Sequence, residues 1–184
     1  MQGVVSIAVV SSSLLFGCTP ALFPSGTLKD VDRNFDFTRW WMSPISMENH
    51  KVQLGGRIVQ SSMKGPTVTI VTAQLPIVEH PAYGPKETRK LSREFVILYQ
   101  GKIDPVFLHP GNRLIVVGRI VPPIRVEVHD VLRILPTVTA QCVHIWQTGD
   151  KDIEDFASSG AGYIVLREET YCGDETPWAP MSLY

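Results

Sequence analysis

The sequence predicts a mainly β protein, built as a sandwich or a small antiparallel barrel of about six short strands. Apolar and polar side chains alternate along several segments, as in Thr67-Val68-Thr69-Ile70, and this period of two is typical of half-buried strands. The 14 glycines and 14 prolines, together with many Val, Ile and Thr residues, favour short strands joined by tight turns. With 44% hydrophobic and 19% charged residues, the chain is too apolar to be disordered.

The strands are predicted in six places, separated by Gly and Pro signals such as Lys64-Gly65-Pro66 and Pro122-Pro123. Gly55 and Gly56 in the first strand and Gly118 in the fourth are expected at bulges or sharp bends that let a small sheet close. The predicted strands cover residues 52–60, 67–70, 94–99, 113–121, 125–129 and 137–146.

Two turns are predicted between the third and fourth strands. Asp104-Pro105 is typical of a turn in which the carboxylate accepts hydrogen bonds from nearby backbone amides, and Gly111 belongs to a second turn signal at residues 109–112. Beyond residue 146 we expect irregular structure with a short peripheral helix that Asp150 or Asp152 begins. One more strand is expected at residues 163–166, followed by a loose tail from residue 172.

The amino terminus indicates export. Residues 1–16 carry no charge and form an apolar stretch shorter than the about 20 residues of a transmembrane helix. It ends in Leu15-Phe16-Gly17-Cys18, which resembles the lipobox of bacterial lipoproteins. The resemblance implies that residues 1–17 are a signal peptide, and that Cys18 carries a diacylglyceryl group on its thiol and an acyl group on its amine. The alternative is a buried amino-terminal strand or helix with an ordinary core cysteine.

The chain also resembles the Slp, or starvation lipoprotein, family of bacterial outer-membrane lipoproteins. After the lipobox, the resemblance is carried over about residues 18–146 by Val52-Gln53-Leu54-Gly55-Gly56-Arg57-Ile58, Gln74-Leu75-Pro76, Ile103-Asp104-Pro105, the run at residues 111–118 and Trp146. It implies a lipid-anchored, periplasm-facing β domain similar to a small OB-like barrel of about five to six strands, induced by starvation or envelope stress. It supplies no catalytic residues.

Four regions follow from this interpretation. Residues 1–17 are the signal peptide, 18–49 a Pro- and Gly-containing lipid-anchored tether, 50–146 the β-barrel domain and 147–184 a carboxy-terminal extension. Trp40 and Trp41 in the tether are expected at the membrane interface or packed between tether and barrel.

The balance of charges and the spacing of the histidines give no support to nucleic-acid binding or to a local catalytic or metal site. With 17 basic and 18 acidic residues and no like-charge block, the chain offers no footprint for nucleic acid. The five histidines are spread singly, and neither a nucleophile elbow nor a phosphate-binding Gly-rich loop is present, so no catalytic residue, metal or small-molecule cofactor is predicted. A nonlocal site of His129 and His144 with Glu127 or Asp130 stays open.

We therefore expect a non-enzymatic outer-membrane lipoprotein, attached to the membrane by its lipid, whose β module binds an envelope protein or cell-wall component. A tethered periplasmic hydrolase or metal-dependent enzyme is the second hypothesis, and a cytoplasmic or secreted binding protein without a lipid anchor is the third. If Cys18 is lipidated, Cys142 and Cys172 remain as an even pair. They form either a disulfide or, with Cys142 on the apolar face of its strand, free thiols.

Overall fold

The computed structural model describes residues 22–77, 84–86, 93–149 and 166–173. In these residues, six strands form one sheet, with one short helix, α1 (Phe37–Met42), and two 3₁₀ turns, Pro44–Met47 and Pro105–Leu108. The strands are β1 (Lys51–Lys64), β2 (Thr67–Leu75), β3 (Glu94–Gln100), β4 (Arg113–Val128), β5 (Val131–Trp146) and β6 (Glu168–Cys172).

The sheet closes into a barrel-like ring. Its strands follow the order β3-β2-β1-β4-β5-β6 with antiparallel neighbours, and a parallel pairing of β3 with β5 joins the two sides, from Val96 opposite Thr137 to Tyr99 opposite Ala140. The predicted fold class, mainly β with a small antiparallel barrel, is confirmed. Within the part of the chain that the structure describes, no helix has the length and apolar character needed to cross a membrane.

The long β4–β5 hairpin differs from its prediction, because the predicted strands at residues 113–121 and 125–129 belong to one strand, which ends at Val128. Pro122 and Pro123 do not end it. The ladder passes from Val121 opposite Thr137 to Ile124 opposite Leu135, so two prolines on β4 face one residue of β5 in an irregular register. Such a bulge leaves the prolines, which have no N–H to donate, outside the regular ladder.

The hairpin ends in a two-residue turn. His129 and Asp130 both have positive φ, at 48° and 63°, between the paired residues Val128 and Val131. This is the conformation of a type I′ turn, which matches the twist of the flanking strands. His129 therefore lies in an exposed turn rather than in the strand where the alternation placed it.

Side chains from the inner faces of β1 to β5 form the main core, and α1 covers part of it. Trp40 of α1 has no exposed surface, and its ring lies 6.1 Å from the ring of Phe95 and 5.4 Å from that of Phe37. The strand residues of this core include Val52, Leu54, Ile58, Val68, Ile70, Phe95, Ile97, Leu114, Val116, Ile120, Val138, Val143 and Ile145.

The segment expected to be a tether is packed on the sheet from its first described residue. Asp36 begins α1 by accepting hydrogen bonds from the backbone N–H groups of Thr38 and Arg39, at 2.9 and 3.2 Å. The backbone N–H of Asp32 also donates to the carbonyl of Lys51 at 2.8 Å. The packed structure thus begins well before residue 50, and of the two alternatives for Trp40 the structure has the one packed on the barrel. Trp41 is 39% exposed.

Three glycines lie where another strand comes close. A Cβ on Gly118 would lie 2.8 Å from Cγ1 of Val138 and still nearer the Thr139 carbonyl, and the β4–β5 register shifts between Val117 and Gly118. Gly55 and Gly56 keep a regular register with β2, so the pair is not a bulge; the shift in β1 falls later, between Ile58 and Gln60. These two glycines instead admit the backbone of β2, since a Cβ on Gly55 would lie 2.9 Å from the carbonyl oxygen of Leu75.

The turns between β3 and β4 are short and ordered. Asp104 accepts a hydrogen bond from the backbone N–H of Val106 at 3.0 Å, and Pro105 begins the 3₁₀ turn. Gly111 has a φ of 89°, in the left-handed region that favours glycine, and leads into β4. The predicted helix after Asp150 and the predicted strand at 163–166, apart from its last residue, lie outside the described residues.

Candidate functional site

The candidate site is where the amino-terminal segment meets the outer face of β4, β5 and β6. Cys18 itself lies outside the described residues, which begin at Leu22, four positions later. From there to Asp32 the chain follows the outer face of the sheet. This surface is the part of the fold nearest in sequence to the predicted lipid.

The outer face of β4 and β5 is apolar, and the amino-terminal segment covers it. Phe23 is 6% exposed and packs in a cluster with Ile115, Val117, Cys142 and Trp146. All of the residues from 113 to 118 are buried, so this part of β4 is covered on both faces. A strand covered on both sides needs apolar residues in succession, which explains why the run at residues 114–117 does not alternate.

A chain of polar contacts fixes the first described residue to β6. The Thr170 hydroxyl donates a hydrogen bond to the carbonyl oxygen of Leu22 at 2.9 Å, and Nδ1 of His144 lies 2.7 Å from the same hydroxyl. Because the hydroxyl has a single proton and gives it to Leu22, it must accept from His144, whose Nδ1 therefore carries hydrogen. The neutral imidazole then has no proton on Nε2.

The environment of His144 disfavours a second proton. The residue is 4% exposed, and its Nε2 has no hydrogen-bond partner among the described groups, although Oε2 of Glu168 lies 3.6 Å away. Burial lowers the pKa of His144 from the usual 6.5, and the half-exposed Glu168 carboxylate opposes this shift without reversing it. His144 is thus held neutral as a hydrogen-bond donor that orients Thr170.

A disulfide joins the same strands. Cys142 of β5 and Cys172 of β6 are register partners, and the structure bonds their sulfur atoms. Oγ1 of the buried Thr27 lies 3.8 Å from the sulfur of Cys142. The amino-terminal segment, β5 and β6 are therefore linked at neighbouring points by a hydrogen bond, apolar packing and a covalent bridge.

The arrangement of Thr170 and His144 is not that of a nucleophile with its base. A general base activates a hydroxyl by accepting its proton. Here the hydroxyl proton points to the Leu22 carbonyl, and the imidazole nitrogen beside it is a donor. The contacts hold the chain in place and give Thr170 no added nucleophilicity.

The nonlocal site of His129 and His144, which the sequence left open as an alternative, does not form. His129 lies in the turn that begins β5, whereas His144 lies near the other end of that strand, opposite Ile115. Asp130 lies in the same turn as His129, and Glu127 lies close to that turn on β4, so both are at the end of the hairpin away from His144. Among the described residues no group of three or more His, Cys, Asp or Glu side chains is placed to hold a metal ion.

The sequence did not indicate the partners of His144. Thr170 and Glu168 lie in a strand that was not predicted, and Leu22 was assigned to the tether. Contacts between residues separated by 26 and 148 positions leave no local pattern. The one available signal was the cysteine pair, because a bridge from Cys142 to Cys172 requires the segment around residue 170 to lie beside β5.

A model of a known protein family matches most of the chain. The family model described as "Outer membrane lipoprotein Slp family" matches residues 15–179. This range includes Cys18, the six described strands, and the residues Leu22 and His144 together with Thr170, which contacts both. No curated protein matches the chain. The match extends past residue 146 and takes in β6, which pairs with β5, so part of the predicted carboxy-terminal extension belongs to the sheet. The chain is a member of the outer membrane lipoprotein Slp family.

Proposed function

We propose that this protein is anchored in the outer membrane by lipid on Cys18, faces the periplasm, and acts as a non-enzymatic module that binds an envelope protein or a cell-wall component. The family match over residues 15–179 is the observation that carries the proposal, because it joins the predicted lipidation site to the folded domain. The role under starvation or envelope stress belongs to the same proposal.

The chemistry of the anchor follows from the cysteine. The Cys18 thiol takes up a diacylglyceryl group, the signal is cut before Cys18, and the freed amine is acylated. Each buried methylene contributes about 0.8 kcal/mol, so a single chain holds marginally, whereas two or three chains hold a protein on the membrane stably. The Cys142–Cys172 bridge supports an oxidising compartment such as the periplasm.

The non-enzymatic part of the proposal rests on the histidines. His144 donates to Thr170 rather than activating it, and His129 lies in a distant turn. Neither supplies a base next to a nucleophile within the described part of the chain. A binding role needs only a stable domain held at the membrane.

Intact mass of the membrane-extracted protein tests the anchor. We expect the parent chain to begin at Cys18 and to carry acyl mass, and Cys18→Ser, expressed from the same start, to keep residues 1–17 or to be released. Thr19→Ser, next to the site, is the matched control and should be processed like the parent. A parent chain that retains residues 1–17 without added mass would refute the proposal.

A labelling experiment tests the orientation. Lys64 and Lys102 are exposed, so a membrane-impermeant amine reagent should modify them wherever it reaches the domain. We expect labelling only after the outer membrane is permeabilised. Equal labelling of intact cells would place the domain on the cell surface instead.

A further inference from the structure

We infer that the barrel is held close against the bilayer surface by its β5–β6 side, and is not suspended on a long tether. The inference rests on the proposed lipid on Cys18 and adds which surface of the protein meets the membrane. Its partner is a lipid surface, reached through the few residues between the anchor and the fold.

The distance available is set by chain length. Four residue steps separate Cys18 from Leu22, and an extended chain spans at most about 3.6 Å per residue, so this connection reaches no further than about 14 Å. A tether free as far as residue 49 would have 31 steps and a reach on the order of 100 Å. The distance of the barrel from the membrane therefore depends on whether residues 22–49 are packed on the sheet or free.

Several contacts hold the start of this segment on the sheet. Leu22 is bound through its carbonyl by Thr170, and Phe23 is 6% exposed in the outer cluster. Thr27 is 5% exposed beside Cys142, and the backbone of Asp32 is bonded to Lys51. Releasing the segment would expose Phe23 and the apolar strand face beneath it, so the segment stays on the sheet from Leu22 onward.

The side chains around this point suit a headgroup surface. Arg167, Glu168 and Glu169 are exposed at the start of β6, and Glu168 lies on the same face of the strand as Thr170. Charged groups disfavour insertion into the acyl layer, so this side of the domain would meet the bilayer at its polar headgroups. The lipid on Cys18 enters the bilayer, and the barrel rests on its surface.

Neutron reflectometry of the lipidated full-length protein on a supported bilayer measures the gap. We expect protein density to begin within about 15 Å of the headgroups. A variant with 20 flexible Gly and Ser residues inserted between Pro20 and Ala21 leaves the fold untouched, and its density should move outward, since a free chain of that length spans about 25 Å.

Each outcome has a definite meaning. A water-filled gap well beyond about 15 Å in the parent, or identical profiles for parent and insertion variant, would overturn the inference while the anchor stands. Protein that fails to bind the bilayer at all would contradict the lipid anchor, and with it the inference. These two failures are distinguished by the presence or absence of a protein layer.

The side that faces the membrane is tested by quenching of added tryptophans with spin-labelled headgroup lipids. Glu168→Trp places the probe on the face of β6 that carries Thr170, and Leu132→Trp, at a 68% exposed position near the opposite end of β5, is the matched control. We expect extra quenching, over the parent, for Glu168→Trp alone. Stronger quenching of Leu132→Trp would place the opposite end at the membrane and overturn the assignment.

Discussion

The Thr170 hydroxyl donates a hydrogen bond to the carbonyl oxygen of Leu22, 148 positions earlier in the chain, at 2.9 Å. The hydroxyl oxygen of Thr170 also accepts a hydrogen bond from Nδ1 of His144. One side chain of β6 therefore joins the amino-terminal segment to the buried histidine of β5. Through this contact the segment that begins at Leu22 becomes part of the domain.

Thr170→Val removes this link with little change in shape. The variant leaves the Leu22 carbonyl without its donor and Nδ1 of His144 without its acceptor, and we expect a loss of about 1–3 kcal/mol in the free energy of unfolding. Urea unfolding measures it. Thr69→Val, at a half-buried position on β2, is the control and should change stability by less than about 0.5 kcal/mol. Equal effects of the two changes would contradict the assigned role.

Trp40→Ala tests whether residues 22–49 belong to the folded domain. Trp40 is fully buried against Phe37 and Phe95, so its removal leaves a large cavity and should cost about 3–5 kcal/mol. Trp41→Ala is the control one position along, where the side chain is 39% exposed and stacks on Arg93. We expect a clearly smaller loss there, measured by urea unfolding. Similar losses would indicate that the segment packs less tightly than its contacts imply.

The bridge between Cys142 and Cys172 predicts a thiol pattern. Alkylation of the denatured, unreduced protein should label neither cysteine, and alkylation after reduction should label both. The double variant Cys142→Ala, Cys172→Ala should lose about 3–4 kcal/mol, because the bridge closes a loop with a sequence separation of 30 residues. Labelling before reduction would show that the cysteines are free thiols, which is the alternative that the sequence leaves open.

Gly118→Ala should destabilise the sheet although alanine is otherwise accepted in strands. Its Cβ would lie 2.8 Å from Val138 Cγ1 and against the carbonyl of Thr139, so β4 and β5 must separate, at a cost of about 1–3 kcal/mol. Ser62→Ala, at an exposed position of β1, is the control and should change little. A stable Gly118→Ala variant would mean that the hairpin adapts at this bulge.

Local patterns in the sequence were sufficient to predict most of the sheet. Residues 67–70 alternate because β2 has one face in the core and the other less covered, and Gly65 allows the tight turn before them, with a φ of 59°. The same reasoning failed at Pro122-Pro123, since a bulge accommodates both prolines inside one strand.

The candidate site was harder to predict because its contacts are nonlocal. Phe23 lies in a polar, Pro-containing segment, and its burial could not be predicted because it depends on the apolar outer face of β4. The helix α1 could not be predicted because its six residues are too few to show a helical period. The sequence shows His144 without a second histidine at metal-ligand spacing. Its partners on β6 are distant in the chain, so only the fold shows that they are neighbours. The alternative of a joint site with His129 does not form, because His129 lies in the turn at one end of β5 and His144 lies near the other end.

The pKa of His144 predicts how stability changes with pH. Burial holds this pKa below 6.5, so between the two values the unfolded chain binds a proton that the folded protein does not. The stability that the neutral, buried His144 contributes is therefore fully present above about pH 6.5 and is lost as the pH falls below that value. His144→Asn retains an N–H near the position of Nδ1 and does not titrate, so it should lose less stability than the parent between about pH 7.5 and about pH 5.5 in urea unfolding. His129→Asn, in the exposed turn where asparagine suits the positive φ, should behave like the parent, whereas equal pH dependence in all three proteins would contradict the role of His144.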